Sequence, residues 1–160
     1  MEPVRIRACT HEDIDAVLQL DRQWEQEHIA HDFRPISREE FLAHLERFPA
    51  YFLVAESDRG IVGYVNGSVH RSTGVAVIPE GEPYVEIDNV YVHPDFRHRG
   101  IGGMLLDRLL AVAAHHGMQR FLVSSVSKEI DKILHFYRRH GFTPWYVQLF
   151  RYLERVAEFL

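Results

Sequence analysis

The sequence predicts an α/β (α+β) fold: a single domain over residues 1–160 in which strands and helices interleave around one sheet. Three observations predict it. The 160 residues are 46% hydrophobic and 26% charged, the composition of one unit large enough to bury a core. Six short runs have the alternation or the β-branched and aromatic content of strands. Four longer stretches carry apolar residues at helical spacing, two of them behind capping signals.

Val4 to Cys9 alternates apolar and polar as a half-buried strand does, and Thr10 with Asp13 forms a capping pair that opens a helix to about Glu27. Ile14, Val17, Leu18, Trp24 and Ile29 give that helix its apolar face. Ser37 with Glu40 repeats the capping signal before Phe41, Leu42 and Leu45. Tyr51 to Glu56 and Ile61 to Val69 are strands that a Ser57-Asp58-Arg59-Gly60 turn should pair as an antiparallel hairpin. Ser72 to Pro83, rich in Gly and Pro, predicts a loop before a strand over Tyr84 to Val92. A basic glycine-bearing turn leads into a helix through Met104, Leu105, Leu109 and Val112 that stops at Gly117. Arg120 to Val126 is predicted as strand, Ser127 to Arg139 as helix with Gly141 at the cap position, and Trp145 to Tyr152 as a last strand.

Composition also excludes functions. A formal charge of −5 argues against a dedicated nucleic-acid binder, which draws its affinity from many Lys and Arg contacts to phosphate, so Arg138, Arg139 and His140 are not taken as such a surface. No apolar run approaches the ~20 residues a membrane span needs, and Met1 to Arg7 carries charge where a secretion signal is apolar. No membrane association and a cytoplasmic location are expected. Cys9 is the only cysteine, which rules out an internal disulfide and a multi-cysteine metal site. His28-x-x-His31 and His115-His116 lack the further ligands of a zinc site, so no metal is expected.

The chemistry concentrates after residue 90. In Arg97-His98-Arg99-Gly100-Ile101-Gly102-Gly103, glycines lie between a strand and the first turn of a helix, where unpaired N–H groups and the helix dipole attract anions. Arg97 and Arg99 add charge, and the glycines let phosphate oxygens approach the backbone. Leu105 occupies the place of the third glycine of a dinucleotide fingerprint, and no Gly-Lys-Ser or Gly-Lys-Thr makes it a Walker loop.

Val90-Tyr91-Val92-His93-Pro94 followed by Arg97-x-x-Gly100-x-Gly102 resembles the acetyl-CoA motif of the GNAT N-acetyltransferase superfamily. Phe136-Tyr137-Arg138-Arg139-His140-Gly141-Phe142, some forty residues on, is similar to that family's Leu-Tyr-x-x-x-Gly-Phe ending. The resemblance implies a mixed, mostly antiparallel twisted sheet of six to seven strands flanked by about four helices, with strands four and five splayed beside a bulge. It implies an acyltransferase that moves the acetyl group of acetyl-CoA to a primary amine, small molecule or peptide, by direct attack in a ternary complex. Acetyl-CoA is then the co-substrate, held by Val90, Tyr91, Val92, Arg97, His98, Arg99, Gly100, Ile101, Gly102 and Gly103, with Lys128 a candidate toward the phosphates.

An alkylamine with pKa near ~10.4 arrives protonated, so the reaction needs a base. Glu86 and Asp88 share one strand face, and the resemblance gives the base position to Glu86, with Asp88, His93 or a water as substitutes. The resemblance gives the oxyanion donor to the Val90 N–H, pairs the pantetheine arm with the backbone at Val92, and makes Tyr137 the acid that protonates the leaving thiolate. It also places Trp24, His28, His31, Asp32 and Phe33 in the region that lines the acceptor pocket. Ile130 replaces an asparagine that many members bond to the pantetheine arm, with Ser127 and Lys128 as nearby alternatives.

The amine acceptor is left open among polyamines, aminoglycoside-like compounds, amino acids and protein N-termini, and so is acyl-chain length. Glu80, Glu82 and Asp88 point toward a cationic small molecule. The rival function is a non-catalytic acyl-CoA-binding sensor or scaffold, against which Glu86 and Tyr137 argue. Trp145 to Leu160 carries aromatics that are candidates for a homodimer face.

Overall fold

A computed structural model describes residues 3–27, 34–125, 129–149 and 151. Five strands, β1 (Arg5–Ala8), β2 (Phe52–Ser57), β3 (Gly60–Arg71), β4 (Pro83–Val92) and β5 (Phe121–Val123), form one sheet in sequence order. Neighbours from β1 to β4 are antiparallel, and β5 is parallel to β4. A parallel neighbour requires a crossover, which helix α3 (Ile101–His115) supplies.

Local chemistry explains where the other helices begin. The Thr10 N–H donates to the Asp13 carboxylate at 2.8 Å, and after one 3-10 turn α1 runs from Ile14 to Glu25. The Ser37 N–H donates to Glu40 at 2.8 Å while the Glu40 N–H donates to the Ser37 hydroxyl at 3.2 Å, opening α2 (Arg38–Arg47). Helix α4 spans Ile130–Arg139, and Gly141 follows it with φ of 85°.

The sheet separates two cores. On one face α1 and α2 bury Ile14, Val17, Phe41 and Leu45 against Phe52, Val54, Tyr64 and Tyr91. On the other, α3 buries Leu105, Leu106, Leu109 and Ala113 against Val65, Val85, Ile87 and Val92. Truncating a fully buried leucine such as Leu109 to alanine costs ~2–5 kcal/mol, so either helix layer is indispensable. Asp21 is buried beneath α1, accepting from the Tyr64 hydroxyl at 3.0 Å and the Ile36 N–H at 2.8 Å, which ties α1 to the chain before α2.

A bulge sets up the site. The β3–β4 register runs Ser68↔Glu86 and Gly67↔Ile87, then Asn66↔Asn89, leaving Asp88 as the extra residue on β4. Before it, Val85 and Ile87 point at α3; after it, Val90 and Val92 do, and Tyr91 turns to the α1 side.

The described part of the predicted last strand, Trp145 to Leu149, forms no strand, and five strands rather than six or seven are present among the described residues. Apolar alternation marks a chain that can pair but not whether a partner is there; Trp145 and Leu149 are 50% and 88% exposed. Of the predicted strand over Arg120 to Val126, Phe121–Val123 are strand among the described residues, and Val126 lies outside them. The predicted helix from Ser127 begins at Ile130, with Ser127 also outside them. Among the described residues no helix is long and apolar enough to cross a membrane.

Candidate active site

Among the described residues the β4–β5 ladder ends at Ile87 and Val123, yet β4 continues to Val92, so a notch opens along that edge. The His93 N–H donates to the Val62 carbonyl on β3 at 2.8 Å. Because N–H direction alternates along a strand, the N–H groups of Val90 and Val92 point the opposite way, into the notch. Tyr91 does not share this orientation: its ring stacks on Trp24 at 5.2 Å.

A short 3-10 turn, Pro94–Phe96, follows, anchored by the buried Phe96 ring and by the His93 Nδ1 accepting from the Asp95 N–H at 3.2 Å. His98 (φ 61°) and Gly100 (φ 78°) then adopt left-handed conformations, which curl the chain before α3 begins at Ile101. The first helical hydrogen bond is Met104 N–H to the Gly100 carbonyl, and the N–H groups of residues 98 to 103 have no backbone acceptor among the described residues. Such a concave row of N–H groups at a helix N-terminus is an anion site. A Cβ at Gly102 would make only ordinary contacts, 3.7 Å from the Phe136 ring, so internal packing does not demand glycine there.

Arg97 is not directed outward. Its guanidinium forms a two-pronged pair with Glu27 at 2.5 and 3.1 Å, its Nε donates to the Val92 carbonyl at 2.9 Å, and it lies over the Tyr91 ring. The Tyr91 hydroxyl donates to the same Glu27 at 2.7 Å. Burial pushes the Glu27 carboxyl upward, but the bonds from Arg97 and Tyr91 outweigh it and hold its pKa below the usual range. Glu27, which sequence reasoning missed, thus links the end of α1 to the loop across 70 positions, and no local pattern announces that contact. Arg99 rests against Phe96 and, like His98, is exposed.

Helix α4 closes the other side. The His140 ring sits 3.0 Å from where a Gly103 Cβ would be, and its Nδ1 meets the Asp107 carboxylate at 2.6 Å. The two sequence motifs therefore interlock, Phe136 over Gly102 and His140 over Gly103. Tyr137 packs on Phe136 and Phe142 and hydrogen-bonds Ser125; burial pushes its pKa up to about 12. It stays a neutral donor across the physiological range. Ile130, at the start of α4, is half exposed.

The carboxylates lie on β4 on the face away from α3. Glu86 Oε2 is 3.7 Å from His70 Nε2, and Asp88 Oδ1 accepts from the Ser68 hydroxyl at 3.2 Å. Asp88 keeps accessible surface, but the protein packed around its carboxyl desolvates it and raises its pKa, against the opposing Ser68 bond and the nearby His70. Glu80 accepts from the Gly74 N–H at 2.9 Å and Glu82 pairs with Arg120 at 3.2 Å, so both brace the loop before β4. His93 is engaged in its turn. Ser127, Lys128, His28, His31, Asp32 and Phe33 lie outside the described residues. Burial raises the Cys9 thiol to about 12, which leaves it inert. No group of three or more metal-ligating side chains is found among the described residues.

The sequence profile of the acetyltransferase (GNAT) family matches residues 14–142. The amino-acid acetyltransferase of Escherichia coli K12 is 28% identical over 140 residues, 88% of this chain but 27% of the relative; the chain spans about a quarter of the length of the curated relatives it matches. Among solved structures, the aminoglycoside N-acetyltransferase AAC(6')-Iy in complex with CoA superposes with a TM-score of 0.71 at 18% identity, covering 98% of this chain and 97% of that one. A tetramutant of the BH1408 protein of Bacillus halodurans gives 0.74 at 19% identity, covering 93% and 99%. Both share the fold.

Proposed function

Because this chain belongs to the GNAT acetyltransferase family, we propose that it transfers the acetyl group of acetyl-CoA to the primary amine of a small cationic acceptor by direct attack within a ternary complex. The observation that carries the proposal is the continuity between two sets of N–H groups with no backbone acceptor among the described residues, at residues 98–103 and at Val90 and Val92. A diphosphate on the first leaves the arm that carries the thioester to run along the second.

Glu86 takes the proton from the acceptor ammonium directly or through water, with Asp88 beside it on the same face. The freed nitrogen attacks the thioester carbon; the Val90 N–H stabilises the charge that builds on the carbonyl oxygen. The carbon–sulfur bond breaks, Tyr137 gives its phenolic proton to the departing thiolate, and the second proton of the attacking nitrogen, lost as the amide forms, passes through water to restore the phenol. Support for Tyr137 is its neutral hydroxyl on the helix that interlocks with the loop. Arg99 supplies positive charge beside the phosphates, with His98 next to it in the loop, and Arg97 braces the loop through Glu27.

The acceptor class follows from charge. With Glu80 and Glu82 committed to the loop, Glu86 and Asp88 are the carboxylates that β4 carries on its face away from α3, and they favour an ammonium. Relatives named for amino-acid and aminoglycoside acetylation make those two classes the first to test.

The test is release of free thiol from acetyl-CoA across a panel of amino acids, aminoglycosides, polyamines and peptides. Release that depends on one amine class supports the proposal. Tight CoA binding with no release for any amine would favour the sensor or scaffold instead.

A further inference from the structure

We infer that Ser68 and His70 on β3 are positioning residues for the transfer reaction: together they aim Asp88 as an ionised carboxylate at the acceptor cleft. The inference rests on the proposed amine transfer and adds two residues to it.

Asp88 is the bulge residue, so no cross-strand partner in the ladder dictates where its side chain lies. What holds it is the Ser68 hydroxyl, donating to Oδ1 at 3.2 Å. A serine hydroxyl has one proton. If it goes to Asp88, the 2.8 Å contact between Ser68 Oγ and His70 Nε2 requires His70 to donate there, which fixes the tautomer. His70 therefore orients the hydroxyl, and the hydroxyl orients the carboxylate, leaving Asp88 Oδ2 for the acceptor. Reversing every bond in the chain would need a protonated Asp88 donating to Ser68, a form with no negative charge to hold an ammonium beside Glu86.

The groups that face this chain fit the ionised arrangement. Glu86 Oε2 lies 3.7 Å from His70 Nε2, Tyr84 stacks on the ring at 5.5 Å, and from α2 His44 is bonded to the Gly67 carbonyl next to Ser68. Burial alone would drive Asp88 toward its neutral form. The Ser68 bond and the His70 charge oppose that drift, so removing either raises the pH at which Asp88 ionises.

The experiment is a carbon-detected NMR titration of the Asp88 carboxyl in wild type, Ser68→Ala, Ser68→Thr and His70→Phe, alongside pH profiles of kcat/KM for the best amine. Ser68→Ala and His70→Phe are expected to raise the Asp88 midpoint by about one pH unit, while Ser68→Thr, which keeps the hydroxyl, restores it. The acidic limb of kcat/KM should move by the same amount in the same direction, with CoA affinity unchanged. An Asp88 midpoint that stays put in both Ser68→Ala and His70→Phe overturns the inference, as does a limb that stays put while the midpoint moves. The titration needs no turnover, so an inactive wild type whose Asp88 midpoint responds as expected refutes the transfer proposal and not the alignment of Asp88.

Discussion

The C-terminal end of β4 and its middle are built from different materials. At its C-terminal end the notch and the loop after it offer main-chain N–H groups, set by where β5 stops and by two left-handed residues. In its middle, Glu86 and Asp88 depend on side chains reaching across from β3, through Ser68 and His70. Main-chain groups survive most substitutions and fail only when the backbone path or the space above it changes. A side-chain chain fails when any one link is cut. Cofactor affinity should therefore be insensitive to most side chains near the loop, and turnover sensitive to single ones near the carboxylates.

The largest effect should come from putting a charge among the N–H groups. Gly102→Asp should weaken CoA binding by roughly a hundredfold or more, because a carboxylate there competes for the same donors and repels the diphosphate. Its Cβ meets only ordinary contacts, so thermal melting should change little; calorimetry beside a melting curve checks both. Next is Tyr137→Phe, which should lower kcat by about tenfold to a hundredfold with CoA affinity preserved, measured by thiol release. A smaller effect is expected for Arg97→Ala. Since that guanidinium is committed to Glu27 and the Val92 carbonyl, CoA affinity should fall only about threefold while stability drops by about 1 kcal/mol in denaturant unfolding. A hundredfold loss of affinity there would erase the contrast between main-chain and side-chain regions.

The smallest effect is a pH dependence. The Tyr137 hydroxyl holds its proton to about 12 in the folded chain, whereas an unfolded tyrosine loses it near ~10. The unfolded state then binds fewer protons, so this residue's contribution is complete below pH ~10 and is lost as pH rises toward the folded value. Unfolding of wild type and Tyr137→Phe across that alkaline window should show the steeper loss in wild type.

The same contrast explains what could be read from the sequence. Helix starts at Thr10/Asp13 and Ser37/Glu40 are contacts between residues three apart, so their spacing announces them. The loop was equally readable, because left-handed backbone at Gly100 needs glycine and glycine is visible. Why the Phe136–Phe142 motif accompanies the loop was not readable; the answer is packing, Phe136 over Gly102 and His140 over Gly103. The Asp88 bulge, the Ser68–Asp88 bond and the Glu27–Arg97 pair depend on cross-strand register or on positions up to 70 apart, which no local pattern encodes. The expected strand at Trp145 failed for a related reason: alternation describes a chain's own faces and says nothing of a neighbour.

The central claim is tested most directly by following backbone amide resonances while CoA is added to the intact chain. Large shifts are expected for residues 98 to 103 together with Val90 and Val92, and none of that size in β1. Binding that leaves those amides in place and moves others, or no binding at all, would contradict it.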